Sequence, residues 1–135
     1  AQLDAILSEH ANEDALLMEH IDGQLIKFYG VEGTNFFYAE PHTAKGFSKF
    51  GHEQHNQHKD LALSSPMWKQ TLRAMHTAAT QVAQQSGFSI YGGDAILRED
   101  GTFVFIDFND FPSFSACLPK ASEAIVQHSL SLLTK

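Results

Sequence analysis

The dipeptide Asp100-Gly101 stands between two runs of β-branched, aromatic and aliphatic residues, in "YGGDAILREDGTFVFIDFNDFP" at 91–112. Asp-Gly is among the strongest local signals for a two-residue hairpin turn, because the central positions of that turn need positive φ. A turn of known length sets the pairing of everything on either side of it. With Glu99 facing Thr102, Asp94 falls directly across from Asp107, and Gly92 across from Asn109. Side chains of such pairs leave the sheet on one face, with β-carbons about 5 Å apart.

The same register divides the hairpin into two unlike faces. One carries Ala95 with Ile106, Leu97 with Val104 and Gly93 with Phe108, and belongs against helices. The other carries Asp94, Asp107 and Asn109 at one end and Ile96, Phe105 and Phe103 toward the turn. Asp107 and Asn109 share a face because they are two apart on a strand.

Like charges directly opposite each other destabilise a sheet. Two remedies exist: one carboxylate keeps a proton, or a cation sits between them. Asn109 favours the cation, since it adds a neutral oxygen. Oxygen ligands without Cys or His suit a hard ion such as magnesium, which completes its shell with water and substrate phosphates. The site would then serve a nucleotide or another phosphoryl compound, with Gly92 leaving room above Asn109. The competing reading of the same residues is a solvated sheet face with scattered polar groups.

The 135 residues suit one domain, 1–135, of α+β class. Residues 2–9 read as a short helix with Leu3, Ile6 and Leu7 on one side. "ALLMEHI" (15–21), "QLIKFYGV" (24–31) and "TNFFYAE" (34–40) read as three strands of a meander, punctuated by Asp22-Gly23 and Glu32-Gly33. A helix is predicted over 67–85 from Trp68, Leu72, Met75, Ala79 and Val82, with Ser65 as N-cap, Pro66 at its first position and Gly87 as its stop. A last helix is predicted over 119–133. The sum is a mainly antiparallel sheet with helices packed on one face.

Composition narrows the function. The net charge is −7 and the nine Lys and Arg are scattered singly, which argues against nucleic acid. No apolar run is long enough to span a membrane. A single cysteine, Cys117, excludes a disulfide framework and fits a reducing, cytoplasmic setting.

"GGDAIL…DGTFVFIDFNDFP" resembles the closing signature of ATP-grasp enzymes, in the branches similar to inositol trisphosphate kinases and glutathione synthetases. "ALLMEHIDGQLIKFYGV" resembles the hinge region of that family, and together the two cover residues 15–118. The resemblance implies Asp94, Asp107 and Asn109 as magnesium ligands, Glu19, His20 and Ile21 as the adenine hinge, and Lys27 as the cation facing the phosphates. Ile96 and Phe105, further along the metal face, are candidates for the adenine floor, and plain sheet packing explains them equally. The chain resembles only the C-terminal lobe of the family. The resemblance therefore implies a fragment of a longer enzyme that uses ATP, magnesium and an unidentified small-molecule acceptor, together with an N-terminal lobe. A carboxylate–amine or carboxylate–thiol ligase working through an acyl phosphate is the leading activity. An inositol phosphate-like kinase and a non-catalytic assembly module are the alternatives. Ser113 departs from the family, which places Gly after this proline.

Other groups are less specific. His52, His55 and His58 are three apart, which is not the spacing of a helical zinc protease site, and a solvated loop is the plainer reading. His76 and His128 read as surface or boundary residues of helices, and Cys117 as a buried, inert thiol.

Overall fold

The computed structural model describes residues 2–14, 16–42 and 65–134. The elements run α1 (Gln2–Glu9), β1 (Gln24–Val31), β2 (Phe37–Pro41), α2 (Pro66–Ser86), β3 (Ile90–Leu97), β4 (Phe103–Asp110) and α3 (Leu118–Leu133). The four strands form one antiparallel sheet in the order β2-β1-β3-β4. The class is α+β, as the sequence implies. No described helix is long and apolar enough to cross a membrane.

α2 begins and ends where its caps dictate. The Trp68 amide donates to Ser65 Oγ at 3.1 Å, and Pro66 occupies the first turn, where a missing N–H costs nothing. Gly87 turns left-handed at φ 73°, and the Phe88 amide closes back on the Ala83 carbonyl at 2.9 Å. Between the caps, Trp68, Thr71, Met75, Ala79 and Ala83 form the buried stripe. They pack on Ile26, Phe28, Tyr91, Ala95 and Leu97 to form the main core.

The helices do not share one face. Phe28 points to α2, while its neighbour Tyr29 packs with Phe114, Cys117 and Ala121, the last of these on α3. Consecutive strand residues point to opposite faces, so α3 covers one end of the face away from α2. Burial of β1 on both sides follows: Phe28, Tyr29, Gly30 and Val31 are all buried. Continuous burial of that kind is why the alternation in β1 was too weak to reveal a second layer.

The strand predicted over 15–21 does not form in its described part, residues 16–21. Leu16, Leu17 and Met18 are all strongly exposed. The run is apolar without alternating, so it specifies no face that could dock on a sheet. The Glu32-Gly33 turn is present, with Gly33 at φ 71° and Thr34 Oγ1 donating to the Val31 carbonyl at 2.8 Å.

The hairpin differs from expectation twice, and the differences cancel. Its loop holds three residues, Glu99, Asp100 and Gly101, rather than two. The Arg98 amide donates to the Thr102 carbonyl at 2.8 Å, and the Gly101 amide donates to the Arg98 carbonyl at 3.0 Å. Gly101 is left-handed at φ 84°, and Asp100 Oδ1 accepts from the Thr102 amide at 2.9 Å. Near the turn the pairs are therefore Leu97 with Phe103, Ile96 with Val104 and Ala95 with Phe105. A bulge at Ile106 then absorbs one residue and restores Asp94 with Asp107 and Gly92 with Asn109.

Candidate functional site on the open sheet face

The bulge moves one of the expected site residues, Phe105, to the other face. Phe105 packs tilted against Phe28, with ring centroids 4.8 Å apart, and edge-on against Phe108 at 5.8 Å, on the α2 side of the sheet. It therefore lies on the opposite face from Asp94 and does not floor a pocket there. Phe103 follows it into the main core, and Ile106, expected in that core, is 40 % exposed. On the open face the place of Phe105 is taken by Val104, which pairs with Ile96, which in turn pairs with Leu25. Leu25, Ile96 and Val104 form a half-buried apolar strip across three strands.

Beside that strip runs a row of charge. Glu40 on β2 pairs with Lys27 on β1, Lys27 with Asp94 on β3, and Asp94 with Asp107 on β4. All four side chains leave the same face, because directly paired residues do. Lys27 Nζ donates to Asp94 Oδ1 at 2.9 Å, with both side chains about two-thirds buried or more. Tyr38 Oη donates to Glu40 Oε2 at 2.6 Å. Asn109 Nδ2 donates to Asp107 Oδ2. Each carboxylate of the row thus has one partner, contributed by a lysine, a phenol and an amide.

The electrostatics follow from these contacts. Burial pulls the Lys27 ammonium down, but the hydrogen bond and charge of Asp94, helped by Asp107, outweigh it and leave its pKa raised. The Glu40 hydrogen bond, then burial and the Glu40 charge, push the Tyr38 phenol up to about 12. Burial raises Tyr29, against the pull of Lys27. Glu40 and Tyr38 carried no sequence signal of a site; knowing that β2 pairs with β1 on this face would have exposed them.

The donor set fits a hard cation in kind. Asp94 and Asp107 offer carboxylate oxygens in register, and Asn109 offers an amide whose oxygen turns inward on a flip of its end group. No set of three His, Cys, Asp or Glu able to hold a metal gathers among the described residues, so any ion here would rest on two carboxylates, the amide and ligand oxygens. Gly92 does not leave open room. A β-carbon there would lie 2.7 Å from Pro112 Cγ and 3.1 Å from Tyr29 Cδ1, so Pro112 and Tyr29 fill that space.

Glu19, His20 and Ile21, with Asp22, Gly23, Arg98 and Glu99, line an open cleft of about 400 Å³ beside the hairpin turn. Arg98, which follows directly on β3, is four residues from Asp94, roughly 13 Å at strand rise. The apolar strip of Leu25, Ile96 and Val104 lies between the cleft and the charged row.

The remaining candidates separate from the site. His52, His55 and His58 fall outside the described residues. His76 stacks on Phe37 at 4.8 Å on the α2 side, where burial lowers its pKa. His128 is not a surface residue: it is buried on α3, and neither ring nitrogen has a hydrogen-bond partner among the described residues. Cys117 is buried in the smaller core, which raises its thiol pKa and disfavours the thiolate.

No known protein family, curated protein or solved structure matches this chain.

Proposed function

We propose that the open sheet face binds ATP and magnesium, as the C-terminal lobe of an ATP-grasp enzyme. The observation that carries the reading is the meeting of Asp94, Asp107 and Asn109 on one face, at the end of an apolar strip that leads from the cleft at Glu19, His20 and Ile21. In this reading the strip of Leu25, Ile96 and Val104 receives adenine, and the cleft residues border it. Asp94, Asp107 and Asn109 hold the ion. Lys27 meets phosphate oxygens from the next strand.

Magnesium, when bound, supplies neutralisation of the charge that builds on the transferring phosphoryl group. The chain's own contribution is positioning: the row fixes where the phosphates lie, and the strip excludes water from the base. The transfer goes to a carboxylate in a ligase, which an amine or thiol then attacks, or to a hydroxyl in a kinase. We favour the ligase. The acceptor, the N-terminal lobe and a cytoplasmic, ATP-rich setting belong to the same proposal.

A second reading has its own support. Every carboxylate in the row already has a partner within the sheet, as a non-catalytic assembly module would have. Magnesium-dependent ATP binding separates the two. Calorimetric titration of the chain with ATP, with and without magnesium, should show weak binding that needs the metal and that Asp94→Asn and Asp107→Asn each abolish. Binding that ignores magnesium, or that survives both substitutions, removes the ATP-grasp reading.

A further inference from the structure

Lys27 stands between two carboxylates, Glu40 on one neighbouring strand and Asp94 on the other, each directly opposite it. Its ammonium bonds Asp94, while Glu40 is held by the Tyr38 hydroxyl. Asp94 is the nearer partner by pairing type, and a second cause lies one strand further on. Asp94 also faces Asp107, so negative potential is greatest on that side. A divalent ion between Asp94 and Asp107 reverses the ranking. It cancels their charge and repels the ammonium on β1, about 7 Å away by strand spacing. Glu40 then becomes the stronger attractor.

Resting on the magnesium reading above, we infer that Lys27 is a built-in counter-ion, which an arriving divalent cation displaces from Asp94 to Glu40. Glu40, with Tyr38 beside it, is the receiving position. Lys27 makes the wider, hydrogen-bonded kind of pair with Glu40 and the closer, non-hydrogen-bonded kind with Asp94, a difference of about 1 Å between α-carbons, and lysine's flexible four-carbon stem spans either. The ammonium offsets part of the row's negative charge before the ion arrives. The exchange leaves the ammonium on the same face afterwards, free of Asp94, where a phosphate carried in by the ion would meet it. Lys27 and Glu40 are positioning residues in this scheme, and neither needs to touch the metal.

The test is a titration of the whole 135-residue chain with Mn²⁺ alone in 0.15 M salt, with affinity read by calorimetry, and a parallel titration with diamagnetic Mg²⁺ in which the Lys27 ammonium is followed by NMR. Lys27→Met and Lys27→Gln remove the competitor and should each tighten Mn²⁺ about two- to fivefold, the worth of a part-exposed ion pair. Glu40→Gln removes the receiving position and should weaken Mn²⁺ by a similar factor. That weakening should vanish in the Lys27→Met background, because it acts through Lys27. Glu40 lies about 12 Å from the point between Asp94 and Asp107, beyond the Debye length at this salt, so its direct field does not imitate the coupling.

Two lysine variants guard against one of them failing to fold. Unchanged or weaker Mn²⁺ affinity in both, or a Glu40→Gln effect that persists without Lys27, overturns the inference. Asp94→Asn distinguishes the levels. If it binds Mn²⁺ as the wild type does, or if the wild type does not bind at all, the magnesium reading fails and the inference with it. If it loses the ion while the Lys27–Glu40 cycle shows no coupling, the inference alone fails.

Discussion

Asp94 and Asp107 sit directly opposite each other across β3 and β4, although the register of the same hairpin differs by one residue between this pair and the turn. A longer turn shifts the pairing one way, and the bulge at Ile106 shifts it back. The charged pair therefore owes its alignment to a local irregularity rather than to a regular ladder.

That irregularity has a measurable signature in side-chain burial. Phe105 contacts Phe28 and Phe108 in the main core, while Ile106 is substantially exposed. Phe105→Ala should lower unfolding free energy by about 2 kcal/mol or more, and Ile106→Ala by under about 1 kcal/mol. Urea denaturation of both variants checks this. Equal losses, or the reverse order, would mean that the bulge is misplaced and that Phe105 returns to the open face.

The two aspartates should respond differently to neutralisation in the metal-free protein. Asp107 faces a like charge and, among the described residues, is bonded only to the Asn109 amide. Asp94 faces the same like charge but also holds the Lys27 ammonium. Asp107→Asn should stabilise by about 0.2–1 kcal/mol through relief of repulsion. Asp94→Asn should gain less or lose, because the ion pair goes with the repulsion. Chemical denaturation without divalent ions is the measurement, and a larger gain for Asp94→Asn would contradict the row as described.

The tyrosines give a pH test. All three, Tyr29, Tyr38 and Tyr91, have raised pKa values in the fold: Tyr29 and Tyr91 chiefly by burial, and Tyr38 chiefly by its bond to Glu40. A raised phenol favours folding while it stays protonated. Its contribution is whole below the unfolded pKa of about 10 and is lost as pH climbs through the folded value. For Tyr38 that window closes at about 12. Spectrophotometric titration of the native protein should show no phenol ionising at its ordinary pH, and Glu40→Gln should move one of the three back toward 10. A native titration that overlays the urea-unfolded one would contradict these contacts.

His128 offers a test of the smaller layer. It is 7 % exposed and both ring nitrogens lack partners among the described residues. An unsatisfied buried polar group costs about 1–3 kcal/mol, and an apolar group of similar shape avoids that cost. His128→Leu should therefore raise thermal stability by the equivalent of about 1 kcal/mol. A clear loss instead would show that the imidazole has a polar partner.

How much of this was legible beforehand depends on how local the cause is. The limits of α2 were readable because Ser65, Pro66 and Gly87 act within a few residues of themselves. The Glu32-Gly33 turn and strands β1, β3 and β4 followed from local composition in the same way. The opposition of Asp94 and Asp107 was also anticipated, though from a turn one residue too short, and it held because the bulge compensated.

Three features depended on long-range packing. Bulge position reflects which aromatic rings fit under α2, and Phe105 outcompetes Ile106 for contact with Phe28 and Phe108. The second layer, α3 on Tyr29, is hidden in a strand buried on both faces, where alternation carries no direction. Most consequentially, the row Glu40–Lys27–Asp94–Asp107 joins residues from four strands, and its order is the order of the strands in space. Residue types and spacing placed the carboxylates at the hairpin's end. Which charge stands beside which was settled by backbone pairing between segments up to 67 positions apart, and no local propensity encodes that.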